Sequence, residues 1–328
     1  MSARPAIACL GAGRMARGIA VVFAYAGHRV AILDLKARDA AGYAQTAAAA
    51  IAEIRATLAT LAEFGLFAAT AVDRIVSLVS VAPAKDAAAA LAETGVIFEA
   101  VPEVLDLKRQ VLAQACALAP QTIIASTTST ILVDDLASAV ERPERFLNAH
   151  WLNPAFLVPL VEISPSARTD PSVTQRLREL LESVGKVPIV CAARPGYIVP
   201  RIQALAMNEA ARLVEEGVAS AEDIDKAIKY GFGVRFATLG MLEFIDWGGG
   251  DILYYASRYL SGALGSERYA APQIIEHNMR EQRVGLRTRK GFMNYEALDL
   301  EAYRRQRLQA FVKLLEHLGL TRPPVLPD

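Results

Sequence analysis

The sequence predicts a doubly wound α/β domain with a mostly parallel sheet, followed by an all-helical domain. Three observations predict it. Residues 6–34 read as an apolar strand, a glycine turn, a helix and a second strand that ends in an acid. Short apolar runs and helical stretches then alternate as far as residue 191. Beyond the break at Ala192-Ala193-Arg194-Pro195-Gly196 the pattern is almost wholly helical. The boundary therefore falls near residue 193, giving domains 1–193 and 194–328.

Each element has its own signal. Residues 39–64 are rich in alanine and carry Ile51, Ile54, Leu58 and Leu61 at helical spacing. Residues 75–81 read as a short strand, and 83–91 as a helix. Residues 95–100 read as a buried strand and 104–118 as the helix after it. Strands follow at 122–125, 146–150, 157–163 and 187–191. Asp170 is the N-cap of a helix that runs to residue 184. In the second domain, Ile202, Leu205, Ala206, Ala210, Leu213 and Val214 form an apolar stripe. Ser220 and Asp223 open the next helix in a Ser-x-x-Asp pattern. Helices continue to residue 318, and the tail from 321 holds three prolines and reads as irregular.

Composition bounds the function. The 328 residues suffice for two cores, and 53% apolar with 21% charged residues describes a folded globular chain. Lys+Arg and Asp+Glu both total 35, so nothing electrostatic points to nucleic acid or a membrane surface. No apolar run approaches a bilayer span and no secretory leader is visible, so a cytoplasmic location is expected. Cys9, Cys116 and Cys191 lie far apart among apolar neighbours, which suggests neither a disulfide framework nor a metal site.

The opening segment meets the requirements of a dinucleotide fingerprint of the Rossmann type. Gly11 allows the tight turn, and Gly13 lets backbone approach a pyrophosphate. Met15 follows in the turn, and Ala16 takes the third small position, where helix packs on strand. The N–H groups at the helix start face the phosphates. Asp34 lies 21 residues after Gly13, where its carboxylate accepts both ribose hydroxyls and repels a 2′-phosphate. NAD is thus favoured over NADP, with Lys36 and Arg38 tempering that preference.

Four histidines are present, and His28, His277 and His317 read as surface or helix-end residues. His150 ends an apolar strand and is followed by the strand-breaking Trp151-Leu152-Asn153-Pro154. Ligands in open α/β sheets sit beyond such strand ends. Glu162, twelve residues on, stands inside an apolar run, where a carboxylate needs a partner. The two strands, joined by one loop, can pair Glu162 with His150, which suits proton transfer. A structural histidine fits the same residues. The hydroxyls of residues 126–130 read as a helix N-cap, as groups in the crevice, or as both.

These residues resemble the L-3-hydroxyacyl-CoA dehydrogenases and their short-substrate relatives, L-gulonate 3-dehydrogenase and lambda-crystallin. The matching segments are 11–20, 98–108, 125–130, 150–162, 195–199, 230–246 and 290–292, in the family's order. The resemblance implies that His150 takes the proton of the substrate's 3-hydroxyl, that Glu162 holds His150, and that NAD is the oxidant. It implies that Ser129 and Asn153 hydrogen-bond substrate and nicotinamide, and that Glu103 and Lys108 line the cofactor. It also implies a homodimer joined through the helical domain, which shares in the substrate cleft.

Two positions depart from the family. Pro200 stands where the family carries an asparagine that contacts substrate. Residues 39–73 contain no lysine and one arginine, Arg55, so this arm is poorly equipped to hold CoA. Gly231-Phe-Gly-Val-Arg235 resembles the gulonate-type pattern in which arginine faces a substrate carboxylate; an ion-pair role for Arg235 is the other reading. The expected activity is NAD-dependent oxidation of a short L-3-hydroxyacyl compound, or its reverse. The alternatives are a free 3-hydroxy acid dehydrogenase of the gulonate type and a non-catalytic, crystallin-like NADH-binding protein. A lysine-dependent β-hydroxyacid dehydrogenase is disfavoured, because residues 198–216 contain no lysine.

Overall fold

The chain opens with β1 (Ala6–Leu10), α1 (Arg14–Tyr25) and β2 (Val30–Asp34). The computed structural model describes residues 4–326, which fall into two units that divide between Ala206 and Met207. In the first unit follow α2 (Ala40–Glu63), α3 (Val72–Val76), β3 (Val79–Pro83), α4 (Ala87–Leu91), β4 (Thr94–Glu99) and α5 (Leu105–Leu118). Then come β5 (Ile123–Ser126), α6 (Val133–Ala137), β6 (Phe146–Trp151), β7 (Leu160–Pro165), α7 (Pro171–Ser183) and β8 (Val187–Val190).

The strands make one eight-stranded sheet in the order β3-β2-β1-β4-β5-β6-β7-β8. Every neighbouring pair is parallel except β6 with β7. Strand order reverses between β1 and β4, the place where such sheets open a crevice at their carboxyl ends. Phe23, Ile54, Leu58, Phe98, Trp151 and Leu177 fill one face beneath α1, α2 and α7. Leu91, Leu112, Leu136 and Phe146 fill the other beneath α4, α5 and α6. The 3.6-residue spacing read in residues 39–64 is what buries Ile54, Leu58 and Leu61, and Asp39 caps that helix by accepting from Gly42 N at 2.7 Å.

Several local readings need correction. Ile75 and Val76 end α3, and the strand begins only at Val79. Leu157 precedes the strand, which starts at Leu160 because the Asn-Pro turn occupies residues up to 159. His28 is buried rather than on the surface; Nδ1 lies 2.9 Å from Pro5 O, and its ring meets Phe23 edge-on. The hydroxyls of 126–130 do not cap a helix, since α6 starts at Val133 with Leu132 at its N-cap. The apolar stripe after residue 200 is helical, yet none of its helix is buried.

α8 (Val199–Glu215) gives its first turns to the first unit and the rest to the second. Beyond it lie α9 (Ala221–Ala227), a π-helical turn Ile228–Gly233, and α10 (Val234–Phe236). α11 (Met241–Gly248), α12 (Gly250–Leu264), α13 (Gln273–Arg280) and α14 (Leu300–His317) complete the second unit. Ser220 caps α9 by accepting from Asp223 N at 3.1 Å. Gly249, at φ +110°, lets α11 stop and α12 start within one residue. Among the described residues no helix is long and apolar enough to cross a membrane.

One buried carboxylate organises this unit. Asp246 accepts from Phe292 N and Met293 N at 2.9 Å each and from the Tyr295 hydroxyl at 3.1 Å. This explains the Lys290-Gly-Phe292 segment: a Cβ on Gly291 would meet Asp246 Oδ1 at 2.0 Å. Gly291→Ala is therefore expected to destabilise the protein by about 1–3 kcal/mol, the usual result of overpacking. Urea denaturation of the two proteins checks this; equal midpoints would refute it.

Candidate active site

His150 and Glu162 stand directly opposite each other in the antiparallel register of β6 and β7. Nδ1 of His150 lies 2.7 Å from Oε2 of Glu162, and both side chains are buried. The other oxygen, Oε1, accepts from the backbone N–H groups of Ile198 and Val199, each at 2.9 Å. An ionised carboxylate is acceptor-only, so Nδ1 carries the ring proton and Nε2 carries the lone pair. Burial by itself raises the Glu162 carboxyl. The His150 hydrogen bond and the two backbone donors at the start of α8 outweigh it and hold the group below the ordinary glutamate range.

Tyr197 fixes the ring from one side. Its ring stacks on His150 at 5.0 Å between centroids with 14° between planes. Its hydroxyl donates to Thr128 O at 3.0 Å and accepts from Asn148 Nδ2 at 3.1 Å. Burial pushes this phenol well above its normal range. Tyr197 adopts φ +44°, a left-handed conformation that costs a non-glycine residue about 1–2 kcal/mol. Its stacking and the two hydrogen bonds hold it there.

The loop after β5 is gathered by Glu103. Oε1 accepts from Ser129 N and Thr130 N at 3.0 Å, from Thr130 Oγ1 at 2.9 Å, and from the Thr128 hydroxyl. Burial raises this carboxyl, but the threonine hydrogen bonds and the nearby Lys108 lower it further than burial lifts it. Lys108 is buried: Nζ donates to Glu99 Oε1 at 2.8 Å, Glu99 Oε2 at 3.1 Å and Val101 O at 3.2 Å. It also lies 3.4 Å from Glu103 Oε2. Ser126 donates to Glu99 at 2.5 Å, so the carboxyl ends of β4 and β5 are tied by one buried network.

The cofactor-type crevice lies at the β1–β4 switch point. Its cavity of about 1040 Å³ is lined by Gly11, Gly13, Asp34, Ala100 and Val101, among others. Gly11 has φ +100°, and a Cβ there would meet Ala100 O at 3.0 Å. A Cβ on Gly13 would meet nothing within 4 Å, so this glycine keeps open the space over the start of α1. Asp34 is buried and receives Arg38 Nε at 2.5 Å. These features fit a dinucleotide. Met15 and Ala16 pack toward the core, and with Glu103 and Lys108 they lie outside the cavity lining.

The first unit thus brings together His150, Glu162 and, through Tyr197 and Thr128, the loop of Ser129. Asn153 is exposed on the turn three residues past His150. That turn is pinned by Lys186, whose buried Nζ donates to Ala155 O at 2.6 Å and Val158 O at 2.8 Å; burial lowers its pKa. Arg235 belongs to the second unit, exposed behind the π-helical turn, with Cζ 5.4 Å from the Phe244 ring centroid. Sequence reasoning assigned no role to Tyr197, Glu99 or Lys186, and read Thr128 only as one of the hydroxyls of residues 126–130. Signals existed for two: a charge at the head of an apolar strand, and an aromatic after Pro195-Gly196.

Comparison with known proteins places both halves. Residues 6–194 match the model of the 3-hydroxyacyl-CoA dehydrogenase NAD-binding domain, and residues 196–295 match that of the C-terminal domain. A 5-formyl-3-hydroxy-2-methylpyridine 4-carboxylate 5-dehydrogenase of Mesorhizobium japonicum is 31% identical over 69% of this chain and 75% of that protein. A 3-hydroxybutyryl-CoA dehydrogenase of Bradyrhizobium diazoefficiens is 33% identical over 62% of this chain and 69% of that protein. Among solved structures, a 3-hydroxyacyl-CoA dehydrogenase of Archaeoglobus fulgidus superposes with TM-score 0.76 at 30% identity, covering 97% of this chain and all of that one.

The Glu162 arrangement carries a pH dependence. Its folded pKa is lowered, so its stabilisation is complete above the unfolded value of about 4.3 and is lost as pH falls through the folded value. Glu162→Gln should lower stability at pH 7 by about 1–3 kcal/mol, because an amide has one acceptor oxygen: if it serves the two backbone N–H groups, its NH2 faces the Nδ1–H of His150. The gap between the variant and the native protein should then narrow toward pH 3. Thermal melts between pH 3 and 7 test this, and a constant gap would contradict it.

Proposed function

Since this chain belongs to the 3-hydroxyacyl-CoA dehydrogenase family, we propose that it oxidises the 3-hydroxyl of a short L-3-hydroxyacyl compound, or reduces the 3-oxo product. The observation that carries this reading is the 2.7 Å contact between His150 Nδ1 and Glu162. With that nitrogen protonated, Nε2 is the base that takes the hydroxyl proton and returns it in the reverse direction. Glu162 steadies the imidazolium so formed, and Tyr197 keeps the ring plane fixed. Ser129 and Asn153 are assigned to orient the substrate oxygen. When bound, NAD supplies the redox chemistry; Gly11, Gly13 and Asp34 hold it, with Met15 and Ala16 shaping the turn. Glu103 and Lys108 serve it as positioning residues, through the loop of Ser129.

The acyl compound is a thioester or a free acid, and one observation favours the acid. Arg55, the single basic residue between 39 and 73, is already paired with Asp73. Arg235, by contrast, has no carboxylate partner among the described residues, and we assign it to a substrate carboxylate.

We assign cofactor binding to residues 1–193 and dimerisation to 194–328. The apolar stripe of α8 is left in water, with Leu205 69% and Met207 68% exposed, as are Ile252 and Tyr259 on α12. A homodimer would cover such surface. We place the protein in the cytoplasm.

Two experiments test the function. His150→Ala should reduce turnover by about 10²–10⁴-fold while NADH affinity stays within twofold; retained activity would remove the proposed base. A panel of 3-oxo acids and their CoA thioesters, read by NADH oxidation, identifies the substrate. Arg235→Leu should raise KM for the free acids and leave the thioesters little changed, and the reverse pattern would assign CoA substrates.

A further inference from the structure

The acid that closes β2 does not stand alone. Asp34, its side chain 4% exposed, receives Nε of Arg38, four residues on, at 2.5 Å. Its other oxygen, Oδ1, has only Lys36 N, at 3.4 Å. A lone acid at this place discriminates against a 2′-phosphate by like-charge repulsion. A carboxylate with a guanidinium against it presents no net charge to repel with. The discrimination expected of a lone acid is therefore weakened here.

The surroundings add positive charge. Arg17, Lys36 and Arg38 line the dinucleotide crevice, and Asp34 is the one acid in its lining. Arg17 is held at the glycine turn by Ala12 O and by Glu53. Lys36 has no carboxylate partner among the described residues. Asp39, next to Arg38, is engaged elsewhere: its Oδ1 accepts from Gly42 N at 2.7 Å, and it lies outside the lining. Arg38 itself is bound at one edge. Nε holds Asp34, and among the described residues neither terminal nitrogen donates to any acceptor. The guanidinium is thus anchored at Nε and keeps a free two-nitrogen fork, the shape that matches two phosphate oxygens. Its side chain is 30% exposed, so the fork is reachable.

We propose that Arg38 and Lys36 form a 2′-phosphate subsite beside Asp34, so that this chain binds NADP(H) as well as NAD(H). This rests on the crevice being the dinucleotide site, in which Gly11, Gly13 and Asp34 hold the cofactor. The ion pair serves either ribose. With NAD(H), Asp34 accepts from the ribose through the oxygen that Arg38 leaves free. With NADP(H), the free fork of Arg38 takes the phosphate, Lys36 adds a second charge, and Asp34 keeps the guanidinium in place.

Equilibrium titration of the protein with NADH and NADPH, read by nicotinamide fluorescence, decides it. NADPH should bind within about tenfold of NADH. Arg38→Gln should weaken NADPH by about tenfold or more, while NADH binding holds or tightens because Asp34 is released to the ribose. Retained NADH binding shows that the variant folds. Arg38→Lys should keep more NADPH affinity than Arg38→Gln, since the charge remains. Adenosine 2′,5′-bisphosphate and adenosine 5′-monophosphate, as competitors of NADH, isolate the added phosphate. The bisphosphate should compete better with the native protein and lose that advantage with Arg38→Gln. A wider gap between NADPH and NADH overturns the proposal, as does an Arg38→Gln protein in which the ratio of the two affinities is unchanged. Failure of NADH itself to bind would overturn the dinucleotide reading of the crevice as well.

Discussion

The fold around the site depends on one carboxylate that does two jobs at once. Glu162 holds His150 with one oxygen and receives the first two free N–H groups of α8 with the other. A buried carboxylate with fewer donors would be protonated or expelled. Here each requirement supports the next. The helix start needs an acceptor for donors that no intrahelical carbonyl can reach. The imidazole needs an acceptor that fixes its tautomer. The antiparallel pairing of β6 and β7 places the residue that satisfies both. The one break in an otherwise parallel sheet is therefore the feature that sets His150 opposite Glu162.

The second constraint is the buried cation at the ends of β4 and β5. Lys108 is enclosed, and its ammonium meets both oxygens of Glu99, a backbone carbonyl and, at longer range, Glu103. Such a pair contributes little net stability against a well-packed apolar substitute, yet removing one member leaves a stranded charge at a cost of about 3–5 kcal/mol. Its value is geometric. Glu103 is fixed by Lys108 and binds the backbone of Ser129 and Thr130, so one network sets the hydroxyl loop and, through Val101, the wall of the cavity. Lys108 thus acts on the loop through Glu103 and on Val101 through its carbonyl.

Much of this was legible in the chain, and what was not has physical reasons. The glycine turn, the acid at residue 34 and the strand–helix alternation are local signals, and they predicted the doubly wound unit. The pairing of His150 with Glu162 was legible because an acid inside an apolar run demands a partner and one loop joins the two strands. The role of Tyr197 was not, because its stacking partner lies 47 residues away and its conformation is held by contacts alone. The hydroxyl run misled for a similar reason. Thr128 turns back to its own loop, accepting from Ile131 N at 3.0 Å, the Thr128 and Thr130 hydroxyls donate to Glu103, and α6 starts only at Val133, beyond the run. Residues 75 and 76 read as strand because their apolar, β-branched character fits either state over so short a run.

Pro200 takes its meaning from the same carboxylate. It is the second residue of α8, where a missing N–H leaves no intrahelical bond unmade and a fixed φ suits the turn. The two N–H groups ahead of it are the ones Glu162 accepts. A proline at 200 therefore stiffens the segment that the carboxylate binds, and it offers no side-chain donor there. The proline therefore bears only on the side chain offered at that position, and the pairing of His150 with Glu162 stands without it.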